Sequence, residues 1–458
     1  MNTREETDSL GSIQVPAEAY YGAQTMRASE NFTISGVTMP PAFIRSLALV
    51  KKCAAKVNRS LELIPEETAG AIVQAADEVA GGELSEHFIV DVYQTGSGTS
   101  TNMNMNEVVA ARANEILTGI RRTKDPVHPN DHVNLCQSSN DVIPSTIHIA
   151  VLRSLREDLL PGLTRMLDEL EKKAEEFAEV EKIGRTHLQD AVVMSLGNEF
   201  CGYAGQMERS IQRLESVQER LSKLALGGTA VGTGLNAHPS FAGRTIALLS
   251  RETGIPFSEA PNHFEAQASM DTAVEASGIL KTIAVSLAKI SNDIRWLASG
   301  PRCGLGEINL PELQPGSSIM PGKVNPVIPE AIIQVCAQVI GNDGAVTIGG
   351  QGGYFELNTM LPLIAQNVLG SIRLLANAAE AMAGKCVSGI TANREQCAAN
   401  IEKSLAIVTN LVPYTGYDRA AALAKKAYET GRTIEEVAAD ENIMEQDRLR
   451  KILYESSR

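Results

Sequence analysis

The residues best suited to chemistry lie in four short polar stretches of this 458-residue chain. The sharpest runs from Gly316 to Pro326, GSSIMPGKVNP, with two serines, two glycines, two prolines, a lysine and an asparagine in eleven residues. Glycine hinges with proline limiting the alternatives describe a loop that becomes ordered around a ligand. Within it Lys323 supplies a fixed positive charge, Asn325 a neutral donor, and Ser317 a hydroxyl able to act as base or nucleophile. An interface loop is the alternative, but Ser, Lys and Asn together serve no obvious packing purpose.

The other three stretches are individually more ambiguous. From Gln94 to Asn106, QTGSGTSTNMNMN, the glycines Gly96 and Gly98 let backbone amides approach a ligand, and Ser97 and Thr99 could bond a carboxylate ahead of a helical run expected near Asn106. The same residues would make an elaborate N-cap with no ligand. From Gln137 to Pro144, Ser138, Ser139 and Asn140 offer three uncharged donors just before a helix, where Ser, Asn and Asp are also ordinary caps. From Gly184 to Asp190, GRTHLQD, His187 sits between polar neighbours at the expected start of a long helix and can act as acid or base near neutral pH, although a lone His is more often structural.

The elements that must hold these stretches read mainly as α-helix. Aromatic residues make up only 4% of the chain, with Trp296 the single tryptophan, and cores of Ala, Leu, Ile and Val suit packed helices better than sheets. Across 271–297, Ala276, Leu280, Ile283, Leu287, Ile290, Ile294 and Leu297 alternate steps of four and three, a heptad seam with Lys281, Ser291 and Asp293 off it. Further long helices are expected over 147–180 with a kink at Pro161, and over 189–224, 329–340 and 361–382. Five such helices suit a long bundle that extends across subunits. The flanks are more broken, placing soft boundaries near 138 and 391: an N-terminal domain over 1–138, a central helical domain over 139–391 and a small C-terminal helical domain over 392–458.

Composition narrows the partners. A formal net charge of −14 argues against nucleic acid or an anionic membrane surface, which demand a basic face, but leaves room for a small anion bound by local donors. The seven cysteines form no CxxC pair and do not suggest a disulfide framework, so a reducing compartment is expected. The polar, acidic start resembles neither a secretory signal nor a transit peptide, and no apolar run approaches the roughly 20 residues that span a bilayer. The expected location is cytoplasmic. No Cys cluster or HExxH-type ligand set is present, and neither metal nor cofactor is expected. Gly96 and Gly98 lack the GK[ST] of a phosphate-binding P-loop.

Taken together, these motifs resemble the fumarase/aspartase superfamily, over essentially the whole chain. The start from Gly11 to Thr25, TGSGTSTNMNMNE, VHPNDHVN, QSSND, GRTHLQDA, GGTAVGTGLN, PNHFEA and YFELN are similar to class II fumarases, and GSSIMPGKVNP is the most telling. The resemblance implies a three-domain, mainly α fold whose central five-helix bundles pack into a twenty-helix core in a homotetramer, with each active site shared by three subunits. It implies reversible hydration of fumarate to (S)-malate, a tricarboxylic acid cycle step, with small dicarboxylates as substrates. Ser317 is then the catalytic base, His187 acts through a bound water, and Glu330 orients that His. Ser97, Thr99, Ser138, Ser139, Asn140, Thr186, Ser318, Lys323 and Asn325 match substrate-binding positions. His128, Asn130 and Asp131 match a second dicarboxylate site.

That chemistry suits the residue types. Removing a proton beside a carboxylate gives an aci-carboxylate dianion, which preorganised donors such as Lys323, Asn325 and the loop amides would stabilise. An aspartate ammonia-lyase is the nearest alternative; Ser139 in QSSND, where aspartases usually carry Thr, favours the fumarase, while ITANREQC at 390–397 resembles an aspartase tail. A lens structural protein descended from such lyases could have lost Ser or His from the site, whereas Ser317, His187, Lys323 and Asn325 are all retained.

Overall fold

Helices carry most of the chain in the computed structural model, which describes residues 2–454. Strands occur among the described residues only as two-stranded pairs. The chain divides into two compact units, one of Met1–Pro161, Ile211–Ala284 and Cys336–Ala376, the other of Gly162–Ser210, Val285–Val335 and Asn377–Arg458.

In the first unit, Pro41–Ser60 opens with proline in its first turn, where the missing N–H costs nothing, and buries Phe43, Leu47, Ala48, Val50 and Ala54. It packs on Glu66–Gly81, which stops at Gly82 in the left-handed conformation. The helix expected near Asn106 begins earlier, at Thr99, and runs to Thr118. Its start was illegible as a periodic pattern because the helix is buried on nearly every side. Asn104 and Asn114 sit in its interior because their amides bond the carbonyls of His87, Arg122 and Val127.

The 147–180 stretch comprises Ser139–Ser154, a π-helical turn over Leu155–Leu159 and Leu160–Glu176. Pro161 has no N–H and its ring crowds the preceding turn, which widens so that Leu160 N–H reaches Leu155 O. Asp271–Leu297 is a single helix, and all seven seam residues are buried. Ser291, expected off the seam, is buried too. Val327–Gly350 and Leu361–Lys385 are both longer than expected. Val327–Gly350 also overturns the expectation about apolar runs: by length and composition it could cross a membrane, with a mean hydropathy of 1.3 in its most apolar window and only 28% of that window buried. Within the first unit its Asp343 accepts hydrogen bonds from Ser277 at 2.8 Å and Lys281 at 2.6 Å.

The largest correction falls in the second unit. Residues 189–195 are not helical: Gln189–Ser195 pairs antiparallel with Glu181–Thr186, and the helix starts only at Leu196 and runs to Leu221. A polar hairpin tip gives no helical or strand period over a short window, so the long helix behind it dominated the reading. Ile183 anchors the hairpin in a cluster with Ile401, Ile407, Leu411, Leu423, Val437 and Leu449 from the C-terminal helices.

A buried carboxylate fixes the hairpin from the other side. Glu307, fully buried, receives both Arg185 terminal nitrogens at 3.0 and 2.8 Å, Lys182 at 3.4 Å and Asn400 at 3.1 Å. Burial pushes its pKa up, but Arg185, Lys182 and Asn400 together hold it below the usual glutamate value. Such a group contributes stability above its unfolded pKa of about 4.3, and that contribution fades as pH falls through the lower folded value. Glu307→Gln should therefore lower unfolding free energy at neutral pH by about 3–5 kcal/mol, by leaving the buried Lys182 and the partly buried Arg185 underpaired. Denaturant titration at pH 7 and pH 4 checks this: the deficit should shrink at the lower pH.

Candidate active site

Three hydroxyls and an amide converge in the first unit. Ser97 Oγ and Thr99 Oγ1 are 2.8 Å apart, Thr99 Oγ1 and Ser139 Oγ 2.6 Å, and Ser139 Oγ donates to Asn140 Oδ1 at 3.4 Å. Ser138 caps the Ser139–Ser154 helix: its Oγ accepts Asn140 N–H at 3.2 Å while Asp141 Oδ1 accepts Ser138 N–H at 2.9 Å. The cap leaves the Ser138 proton free to donate, because the hydroxyl oxygen is what accepts from the backbone. Asn140 Nδ2 donates to Ala230 O at 2.8 Å, tying this turn to the glycine-rich 227–234 loop.

Glycine is obligatory in the loop before Thr99. A Cβ on Gly96 would stand 1.8 Å from Thr359 O, and Gly96 O in turn accepts Leu361 N–H. Gly98 adopts φ +71 as N-cap, with Ile143 against it.

In the second unit, Ser317 Oγ accepts two backbone N–H groups, from Ile319 at 3.2 Å and Met320 at 2.9 Å. The loop is closed by Gly316 N–H to Lys323 O at 2.7 Å and by Asn325 Nδ2 to Gly316 O at 2.6 Å. Ser317 and Lys323 line one cavity of about 470 Å³; Lys323, Asn325 and Glu330 line another of about 710 Å³. Ser318 is exposed beside Ser317. Glu330 lies in the first turn of Val327–Gly350.

His187 is not at a helix start, as its sequence suggested, but at the hairpin tip. His187 and the next residue, Leu188, have φ +57 and +59, between Thr186 and its strand partner Gln189. Tight hairpins require such angles and glycine or asparagine usually supplies them, so two bulky side chains there store strain, a mark of functional sites. His187 and Thr186 are exposed, and among the described residues no hydrogen bond or ion pair joins His187 to Glu330 or Ser317. His128 caps a π-helical turn over Pro129–Val133, its Nδ1 accepting Asn130 and Asp131 N–H at 3.2 Å each, with Asn130 and Asp131 exposed.

Comparisons with known proteins agree on the family. A model described as Lyase matches residues 11–341, and one described as Fumarase C C-terminus matches 407–454. The chain is 55% identical over 435 residues to the class II fumarate hydratase of Nitrosomonas europaea, covering 95% of this chain and 94% of that one. The chain belongs to the class II fumarases. Another family member, the class II fumarate hydratase of Thermosynechococcus vestitus, is 53% identical over 439 residues, 96% of this chain and 94% of that one. The crystal structure of recombinant class II fumarase from Schistosoma mansoni matches with a TM-score of 0.95 at 41% identity, covering 99% of this chain and 98% of that one. The Ser of QSSND had pointed the same way, against the ammonia-lyase alternative.

Sequence reasoning missed the groups beneath this class II fumarase's loops. Asp141 is fully buried and accepts Gly227 and Thr229 N–H at 3.0 Å each besides Ser138 N–H. Burial raises its pKa and these three N–H groups oppose the rise. The S-x-x-D spacing from Ser138 was its one local signal. Gln94 Oε1 accepts both N–H and Oγ1 of Thr101 at 2.9 Å, a bond across seven residues that no short motif announces.

Gly96→Ala places a methyl against a backbone carbonyl that has no room to yield. It should lower kcat/KM by roughly 10²-fold through misplaced Ser97 and Thr99. Steady-state assay of the folded variant checks it, and normal kinetics would show that the clamp does not position the site.

Proposed function

We propose that this chain catalyses the reversible hydration of fumarate to (S)-malate, a step of the tricarboxylic acid cycle, by acid/base chemistry. The observation that carries the reading is the pair of backbone amides on Ser317 Oγ. A serine hydroxyl is far too weak an acid to yield its alkoxide near neutral pH unless charge on oxygen is held. Two N–H donors, with the Lys323 ammonium in the same cavity, provide that hold. In the dehydration of malate Ser317 Oγ takes the proton from the carbon beside one carboxylate. The electrons move onto that carboxylate as an aci-carboxylate dianion, stabilised by Lys323 and Asn325. They then return to form the double bond as the hydroxyl on the neighbouring carbon leaves with a proton from the His187 side as water. Glu330 orients His187. Ser97, Thr99, Ser138, Ser139, Asn140, Thr186 and Ser318 hold the two carboxylates and the hydroxyl. His128, Asn130 and Asp131 form an accessory dicarboxylate site on their exposed turn.

The assembly is a homotetramer whose sites draw on three subunits. Its support is the apolar surface that one chain leaves uncovered: Ile348 is 63% exposed, Tyr354 70% and Phe355 93%, on or just after a helix of which little is buried. Such surface on a single chain marks an association face. The cytoplasm is the proposed location, and seven free thiols suit a reducing compartment.

Ser317→Ala should lower kcat in both directions by roughly 10²–10⁴-fold while circular dichroism stays unchanged. Following fumarate absorbance tests this, and undiminished turnover would remove Ser317 as base. Light scattering on the purified protein should give four times the 49.0 kDa chain mass; a catalytically active monomer would sink the shared-site reading.

A further inference from the structure

Fully buried lysines are rare, because the ammonium gives up its water. Lys51, in the Pro41–Ser60 helix, is 0% exposed, and among the described residues no carboxylate lies within ion-pair distance of it. Its Nζ donates instead to Asn134 Oδ1 at 3.0 Å and Gln137 Oε1 at 2.9 Å. Asn134 Oδ1 also accepts Asn102 Nδ2 at 3.0 Å and Asn106 Nδ2 at 3.2 Å. The turn is braced further by Asn134 Nδ2 to Gln137 O, and by Gln137 Nε2 to Val133 O and Leu135 O, all at 3.1 Å. One amide oxygen therefore ties the lysine's helix to the helix that begins with Thr99 and to the turn that delivers Ser138, Ser139 and Asn140.

The surroundings pull both ways on the amine: burial disfavours its charge, while a buried carboxylate and nearby acceptors favour it. Asp141, buried as well, is the charged group that acts on Lys51; the neutral amides of Asn134 and Gln137 accept from its Nζ, and those of Asn58, Asn102 and Asn106 bond the same turn, while the packed elements also carry Asp77, Glu107, His132 and Glu252. The Oδ1 atoms of Asn58, Asn102 and Asn106 are buried without a hydrogen-bond partner, so acceptors outnumber donors in this interior.

We propose that Lys51 is a positioning residue for the dicarboxylate: its Nζ holds the Asn134–Gln137 turn in its binding geometry through two hydrogen bonds, and its positive charge beneath Ser138–Asn140 makes affinity follow its protonation. The proposal rests on the reading of this site as a dicarboxylate site. Burial lowers the Lys51 pKa to about 7, against the pull of Asp141, which puts the change of state within the working range of pH. The sign for stability is opposite to the sign for affinity. A lysine whose pKa is lower folded than unfolded stabilises the fold as pH rises from about 7 towards about 10.4, since the unfolded chain holds the proton in that interval. Weaker substrate binding above pH 7 would then accompany a fold that gains, rather than loses, from this group.

The test compares wild type with Lys51→Met from pH 6 to 9. The readouts are KM and kcat for fumarate and malate, and calorimetric binding of succinate, a dicarboxylate that does not turn over. Wild-type KM and succinate Kd should rise as pH passes about 7. In the variant both should already be raised by about tenfold at pH 6.5, with kcat within about threefold of wild type and the rise through pH 7 gone. Superimposable pH–affinity curves for the two folded proteins would overturn the proposal. Should Lys51→Met fail to fold, Gln137→Glu places a carboxylate on the lysine and should move the rise upward by about one pH unit or more; an unmoved rise would equally overturn it. Wild-type turnover separates the two readings. A chain that binds succinate but leaves fumarate and malate untouched loses the hydratase reading, while the succinate curves still decide the role of Lys51.

Discussion

Every polar loop here faces one constraint: its backbone N–H groups must find acceptors inside a helical protein whose own carbonyls are already committed. Buried carboxylates meet it. Glu107 accepts Gly22, Gln24 and Thr25 N–H together with the Thr25 hydroxyl. Asp91 accepts N–H from Ser35, Gly36 and Tyr93. Asp141 takes three backbone donors, and Glu307 takes the arginine, lysine and asparagine that steady the histidine hairpin. An ionised carboxylate has two oxygens and about four acceptor positions, so a single side chain can fasten a whole irregular turn. Losing it would strand several donors at once, which is why these anchors are worth more than their number suggests.

The same arrangement reconciles a net charge of −14 with an anionic substrate. The carboxylates beneath the loops are bonded by donors drawn from behind, which offset part of their charge. The groups proposed to meet substrate are mostly uncharged: in the first unit the linked hydroxyls of Ser97, Thr99 and Ser139 and the amide of Asn140, and in the second unit the backbone groups around Ser317. Positive charge enters sparingly, through Lys323 on its loop and Lys51 below the serine turn. Neutral donors fixed in place can bind an anion without a basic surface, and they need not reorganise when charge moves onto it.

Backbone strain is found in the same places. His187 and Leu188 take left-handed angles at the hairpin tip, and Cys136 (φ +63) and Thr229 (φ +54) do so on either side of the serine turn. Non-glycine residues hold such conformations only where their surroundings over-determine them. For the hairpin this is done by Glu307 on one side and the Ile183 cluster on the other. For the serine turn it is done by Asn134, Gln137 and Asp141.

The chain alone declared its helical class, its heptad seam and the residue types of its chemistry, because periodicity and short motifs are local and each residue carries its own functional group. Ser317, Lys323 and Asn325 fall within nine residues and could be read together; so could Ser138, Ser139 and Asn140. What contacts distant in sequence impose was beyond that reading. Thr99 became a helix start through Gly98 and the packing of buried asparagines, and GRTHLQD became a hairpin because Arg185 meets Glu307, 122 positions away. Lys51 and Gln137 meet across 86 positions. A lysine in an amphipathic helix looks solvated until the tertiary structure closes over it, since burial is a property of the neighbours and not of the residue.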